Sequence, residues 1–338
     1  MNILFSCIGR RGYVAEYFRV HLEANDRIIG TSNSQWTPGF TACDLGVVMP
    51  DIVSEEYLPT LIKLCREQKV QALLSFFDPD IHVLSRHLNE FCDIGIVPVI
   101  PSARVADICF DKYQTYLFLK ENGFNAPPTF LTIEEATEAM EEGKVDFPLV
   151  VKPRYGFGSH NIFQARNFKE LDVFFHYASN MLIQDLLTGE ELDFDICLDL
   201  QGEVLSVVPW RKIARRAGET YQAEACDNPN LLDVGSRLGK ALGDKGHVGP
   251  LDVDLFLQEN DKPFILELNP RFGGGYPVSH LAGADFPWLI LRMIKGEKVS
   301  PELRCYRPGV IMMKAYNILG GEAHYFFGSN LDMRCPRS

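Results

Sequence analysis

The alternation of apolar and polar residues is strongest between positions 251 and 269. Leu251, Val253, Leu255 and Leu257 alternate with Asp252, Asp254 and Phe256, and a second run, Phe264 to Asn269, follows a polar turn. Side chains at i and i+2 share one face of a strand. Asp252 and Asp254 therefore share a face, as do Glu267 and Asn269. If the two strands pair as a hairpin, these oxygen-bearing side chains converge while Leu, Val and Ile on the opposite faces supply a core.

The first hundred residues alternate between short apolar runs and helical stripes. Strands are expected at 3–6, 27–31, 47–49 and 72–76. Helices are expected where Val14, Tyr17, Phe18 and Leu22, then Tyr57, Leu58, Leu61, Ile62 and Cys65, then Ile81, Leu84 and Leu88 recur at helical spacing. Strand–helix alternation of this kind predicts a mostly parallel, doubly wound sheet. Further on, Asp111-Lys112 opens a helix that Gly123 stops. An amphipathic helix covers 133–142, and Phe147 to Pro153 reads as a buried strand. Residues 181–191 read as a strand, a short linker and a carboxylate pair; strands are also expected at 199–208 and 309–316, with a helix over 284–296.

Composition narrows the class. The 338 residues are 46% hydrophobic and 23% charged, an ordinary globular balance, with a net charge of −12. That charge argues against a general nucleic-acid or anionic-membrane binder. No apolar stretch is long enough to span a bilayer, and the first twelve residues read as a strand and turn rather than a signal peptide. The nine cysteines are odd in number and scattered, without CxxC or zinc-like spacing. They are expected to be reduced thiols in a cytoplasmic protein.

Several stretches carry candidate chemistry. Oxygen-only ligands such as Asp254, Glu267 and Asn269 suit Mg²⁺, and Arg271 is a planar donor for phosphate. Lys152 lies in an apolar strand and needs an anionic partner, such as a phosphate. The loop Gly156-Phe157-Gly158-Ser159 would let backbone N–H groups approach a phosphate chain; a plain glycine turn is the alternative. The basic stretch 207–220 stands out in an acidic protein, as a site or as a solvated basic strand. On an extended chain Arg211 and Arg215 share one face and Lys212 takes the other. Arg211 and Arg215 are the preferred site residues, with Lys212 as a further candidate. Gly9-Arg10-Arg11-Gly12 lacks full dinucleotide-fingerprint spacing; its arginines either meet an anionic substrate or are solvated. Asp78-Pro79-Asp80 lies either at a ligand position after a strand or at a helix start. The glycines at 273–275 allow close backbone approach to a substrate or form a simple loop. No histidine falls in a triad-like or metal-like spacing.

In their order and spacing these pieces resemble the ATP-grasp superfamily, in the branch similar to the carbamoyl-phosphate synthase large subunit, over roughly residues 1 to 316. The motifs are Asp111-Lys112, Val150-Val151-Lys152-Pro153, Gly156 to Ser159, Gln184 to Leu187 with Gly189-Glu190-Glu191, Asp254, and Glu267 to Arg271. The resemblance implies a doubly wound pre-ATP-grasp domain over 1–110 and an ATP-grasp fold of two α+β subdomains. These are a small lid over 111–186 and a metal-bearing C-terminal subdomain over 187–325, followed by a tail, 326–338.

The resemblance also implies roles. Lys112 and Lys152 would contact ATP, and Gly156, Gly158 and Ser159 would close over the triphosphate. Asp185, Leu186 and Leu187 would bind adenine, and Glu191 ribose. Asp254, Glu267 and Asn269 would hold Mg²⁺, with Mn²⁺ as the alternative ion. Arg271 would stabilise the transferring phosphoryl group. Asp185 departs from the more usual Glu, and His160-Asn161 from small or basic residues.

The implied activity is an ADP-forming carboxylate–amine ligase working through an acyl-phosphate, with small-molecule carboxylate and amine substrates, the acid being an amino acid or peptide. Two alternatives stand beside it: a carbamoyl-phosphate synthase-like enzyme using carboxyphosphate, and a non-catalytic nucleotide-binding regulator. One ATP-grasp unit is expected in 338 residues, without a second unit or a glutaminase domain. A homodimer through the N-terminal domain is a further family expectation.

Overall fold

The computed structural model describes residues 1–156, 160–216 and 218–315. Its first sheet is parallel. It comprises β1 (Asn2–Ser6), β2 (Arg27–Ser32), β3 (Leu45–Val48), β4 (Ala72–Ser75) and β5 (Val97–Pro98), in the order β3-β2-β1-β4-β5. Both faces are apolar. Ile3, Phe5, Val14 and Phe18 pack on one side, and Leu4, Ile29, Leu61 and Leu73 on the other. Burial on both faces explains why these strands read as continuous apolar runs. Strand order reverses beside β1, so a crevice opens between the ends of β1 and β4, a usual ligand position in such sheets.

The helix Lys112–Glu121 follows, capped by Asp111. The Asp111 carboxylate accepts from the N–H of Tyr113 at 3.0 Å, and Arg154 grips it with two bonds of 2.8 and 2.6 Å. A charged cap held by a forked guanidinium fixes where the helix starts, and so aims Lys112. A four-stranded antiparallel sheet comprises β6 (Thr129–Phe130), β7 (Leu149–Pro153), β8 (Phe163–Ala165) and β9 (Met181–Asp185), in the order β6-β9-β7-β8.

The third sheet has six antiparallel strands: β10 (Glu190–Leu198), β11 (Val204–Arg216), β12 (Glu219–Ala225), β13 (Gly249–Gln258), β14 (Lys262–Asn269) and β15 (Ile311–Met313). Their order is β14-β13-β10-β11-β12-β15. One face packs on the helix Pro229–Gly243 through Phe194, Ile196, Val207 and Leu238. The strand expected at 199–208 instead begins at Val204, after a turn closed by Asp199, and runs on through the basic residues to Arg216. The last strand is shorter than expected, and the tail 326–338 lies outside the described residues. Among the described residues no helix is long and apolar enough to cross a membrane.

Phe272 joins the first and third sheets. It is 1% exposed, and its ring centroid lies 6.1 Å from that of Phe18, 6.0 Å from Phe76 and 4.7 Å from Tyr276. Edge and tilted aromatic contacts of this kind add specific geometry to burial. Phe272→Ala should lower stability by about 3–5 kcal/mol, read as a fall in urea midpoint. An unchanged midpoint would show that the joint is not part of the cooperative core.

Candidate active site

Two near-identical segments, Leu192-Asp193-Phe194-Asp195-Ile196 and Leu251-Asp252-Val253-Asp254-Leu255, lie side by side. Antiparallel register sets Asp193 opposite Asp254 and Asp195 opposite Asp252. On the other edge of β13, Asp254 faces Glu267 and Asp252 faces Asn269. The pairing slips by one residue beyond Asp254, leaving Leu266 without an opposite number. That bulge lets Ile265 and Leu268 both enter the core while Glu267 and Asn269 turn to the site. The hairpin read from the alternation is therefore present, with one bulge.

Like charges directly opposed on a sheet repel, so the arrangement depends on cations. Lys212, 5% exposed, has Nζ 2.6 Å from Asp193 Oδ1 and donates to Asp254 Oδ1. Arg271 reaches Asp252 at 3.2 Å and Asp78 at 3.1 Å, and donates to Asn269 Oδ1 at 3.0 Å. The Asn269 amide donates to Asp254 at 3.0 Å. Lys152 and Lys112 both approach Glu267 Oε1, at 3.3 and 3.8 Å.

The acids respond differently to this field. Burial pushes Asp193, Asp252 and Asp254 up, and at Asp193 it prevails, together with the charge of Asp254, over Lys212. For Asp254 the attraction of Lys212 outweighs burial and brings the carboxyl down to about 2. Asp252, buried beside Asp254, rises to about 6. Burial pushes the Lys152 ammonium down, only partly offset by Glu267.

A cavity of about 320 Å³ is lined by Lys112, Lys212, Arg215, Glu267 and Arg271 among others, and Lys152 lies behind its wall against Glu267. Gly156 lines it too, and its carbonyl accepts from Lys112 at 2.8 Å. Gly158 and Ser159 lie outside the described residues. Asp185 ends β9, half-buried, away from the cavity lining, with its carboxyl pushed up by burial. Leu186 and Leu187 form the link from β9 to β10, and Leu187 is buried. Glu191 pairs with Arg215 at 2.6 Å.

Arg211 requires a correction. It leaves the cavity wall and pairs with Glu190 and Glu224 at 3.2 Å each. Strand alternation was expected to keep Arg211 and Arg215 on one face. Irregular pairing between Lys212 and Arg215 breaks that alternation, so Lys212 and Arg215 reach the cavity and Arg211 does not. Asp193 was not anticipated, although the repeated Asp-x-Asp pattern carried the signal. Arg11 and Asp78 also line the cavity, brought there by domain docking.

The donors fit a hard divalent cation. The Asp254, Glu267 and Asn269 side chains are oxygen-bearing and mutually adjacent, and the buried Asp252 Oδ1 takes no hydrogen bond. Among the described residues no three His, Cys, Asp or Glu side chains are arranged to hold a metal by themselves. Substrate oxygens would have to complete the shell, which is how Mg²⁺ is commonly held.

Comparison with known families agrees with this architecture. Residues 109–275 match the ATP-grasp domain model, and residues 3–100 match the PylC-like N-terminal domain model. The chain carries an ATP-grasp domain behind a PylC-like N-terminal domain. In sequence it is similar to the carbamoyl phosphate synthase large chain of Agathobacter rectalis, 26% identical over 54% of this chain and 18% of that protein. The chain thus spans about a fifth of that relative's length.

In fold it resembles the biotin carboxylase domain of Hydrogenobacter thermophilus 2-oxoglutarate carboxylase, solved with MgADP, ADP and bicarbonate. The TM-score is 0.74 at 18% identity, covering 92% of this chain and 73% of that one. The L-amino acid ligase of Bacillus licheniformis follows at a TM-score of 0.64 and 21% identity, covering 87% and 74%.

The Asp195 carboxyl tests the electrostatics behind the site. It accepts from Trp210 Nε1 at 2.8 Å and Ser279 Oγ at 2.5 Å. Burial and the neighbouring Asp252 push it up to about 8. The folded state therefore keeps a proton that the unfolded chain releases. Its stabilising contribution is complete below pH ~4 and is lost as pH rises toward 8. Asp195→Asn retains an acceptor and removes the titration. Denaturation between pH 6 and 9 should show wild type losing about 2 kcal/mol more than this variant; parallel curves would contradict the assignment.

Proposed function

We propose that the protein is an ADP-forming carboxylate–amine ligase that uses ATP with Mg²⁺, or Mn²⁺ in its place, and works through an acyl-phosphate. The observation that carries this reading is the set of opposed carboxylates on β10, β13 and β14, neutralised by buried Lys212, Lys152 and Arg271 around one cavity. The family match and the similarity to ligases and carboxylases support it. We take the acid to be an amino acid or a peptide carboxylate. The described cysteines are free thiols, which suits a reducing compartment, and we assign the protein to the cytoplasm.

In this mechanism a carboxylate oxygen of the acid attacks the γ-phosphorus and ADP leaves. The amine nitrogen then attacks the acyl carbon, and phosphate departs with the oxygen that the acid donated. The chain's part is positioning and charge neutralisation. Lys112 and Lys152 would release Glu267 and take the phosphates. Arg271 would hold the transferring phosphoryl group beside the acid. Lys212 and Arg215 would offset charge on the acid side, and the loop through Gly156, Gly158 and Ser159 would exclude water. Asp185, Leu186 and Leu187 would meet adenine, and Glu191 would exchange Arg215 for ribose. Asp254, Glu267 and Asn269 would hold the cation, which when bound offsets repulsion among phosphate oxygens.

A second reading, carboxyphosphate chemistry with bicarbonate, is favoured by the similarity to carbamoyl phosphate synthase large chains. ADP release with Mg-ATP, screened over amino acids singly and in pairs with mass detection, separates the two. Release requiring both an acid and an amine, with a product one water lighter than their sum, supports the ligase. Bicarbonate-dependent release without an added acid supports the second reading and overturns the first. Glu267→Ala should cut kcat by about 10²-fold or more; retained turnover would remove Glu267 from the mechanism.

Arg211 and Arg215 provide an internal contrast. Arg215→Ala should lower kcat/KM by about tenfold or more, whereas Arg211→Ala should stay within about twofold, as surface pairs contribute little. The reverse order would restore Arg211 to the site.

A further inference from the structure

The ligase reading leaves one cavity cation without a role. Arg11 follows β1 and lines the cavity, and its guanidinium donates to the Phe76 carbonyl oxygen. Among the described residues no carboxylate lies within ion-pair distance of it. The nearby acids, Asp78 and Asp252, are both engaged by Arg271, at 3.1 and 3.2 Å. A guanidinium presents several N–H donors in a rigid fork suited to a carboxylate; the Phe76 carbonyl and the Tyr13 hydroxyl take part of that fork and leave donors over. Burial and the charge of Arg271 both work against the Arg11 cation. Its location adds a second argument. Arg11 ends the turn after β1 and Asp78 opens the helix Asp78–Leu84 after β4, both at the crevice where the order of the parallel sheet reverses.

We infer that Arg11 anchors a carboxylate that does not react, so that one substrate carries a carboxylate beyond the one that is phosphorylated. The inference rests on the ligase reading for the identity of the reacting group. Two sources share this chemistry: the second carboxylate of a dicarboxylic acid, or the α-carboxylate of an amino acid serving as the amine. Bicarbonate and simple monocarboxylates have nothing to place there.

Binding tests this without turnover. The full chain with AMP-PNP and Mg²⁺ is titrated calorimetrically with the common amino acids, succinate, glutarate, acetate and bicarbonate. Any ligand that binds is then compared with its amide, and wild type with Arg11→Gln and Arg11→Lys. The expected result is a dicarboxylate or amino acid whose affinity falls roughly ten- to hundred-fold in Arg11→Gln. Masking its carboxylate should cost as much in wild type and little more in the variant, with Arg11→Lys intermediate and AMP-PNP affinity unchanged.

A dicarboxylate as the responsive ligand assigns the anchor to the acid; an amino acid lacking a second carboxylate assigns it to the amine when its ¹⁸O-labelled carboxylate passes no label to the phosphate released in turnover, whereas label in that phosphate makes the Arg11-bound carboxylate the reacting one and overturns the inference. Equal affinity in Arg11→Gln, or no panel member bound by protein that still binds AMP-PNP, overturns the inference. Arg11-dependent binding without acid-dependent ADP release would keep the anchor and remove the ligase reading.

Discussion

Carboxylates set opposite one another inside a sheet repel, and this repulsion governs the third sheet. Asp193, Asp254 and Glu267 stand across three adjacent strands. Burial works against unpaired charges in such an array. Lys212 brings the Asp254 carboxyl down and pairs with Asp193, whose carboxyl burial and Asp254 still hold well up; Arg271 opposes burial at Asp252, and Lys152 and Lys112 approach Glu267. Lysine on an apolar strand and arginine after a β-hairpin are costly alone, as are the acids. Together they form a site in which charge is already desolvated and fixed. Such a site suits a reaction between two anions, because the balance can pass to phosphate and a divalent cation without large movement of the protein.

The first sheet completes that balance. Asp78 takes the outer side of Arg271, and Arg11 stands beside it. Both reach the cavity only because Phe18 and Phe76 pack on Phe272, directly after Arg271 in the chain. The aromatic joint and the guanidinium are thus one device: docking the domains positions the charge. Gly273 belongs to it as well, since a Cβ there would lie 2.4 Å from Asp252 Oδ1.

Much of this was legible in the sequence because it depends on local periodicity. The alternation at 251–257 gave the hairpin, Asp111 gave the helix start, and apolar runs gave the parallel sheet. Lys152 stood out as a cation in an apolar strand. Asp193 was legible too, in a repeat of the Asp-x-Asp pattern, but recognising it needed the pairing of β10 with β13 across more than fifty residues. The faces of Arg211 and Arg215 were misread because irregular pairing with β12 breaks the alternation, and residues 211–216 themselves do not encode where it breaks. The convergence of Arg11 and Asp78 on the cavity depends on domain docking, which no local pattern carries.

The most direct test is the fate of the acid's own oxygen. The acid that supports ADP release would be prepared with ¹⁸O in its carboxylate and turned over with Mg-ATP and the amine. An acyl-phosphate route predicts one ¹⁸O in each phosphate released, because the attacking carboxylate oxygen stays on phosphorus. Phosphate free of label would mean that water, not the carboxylate, attacks ATP, and would contradict the ligase mechanism.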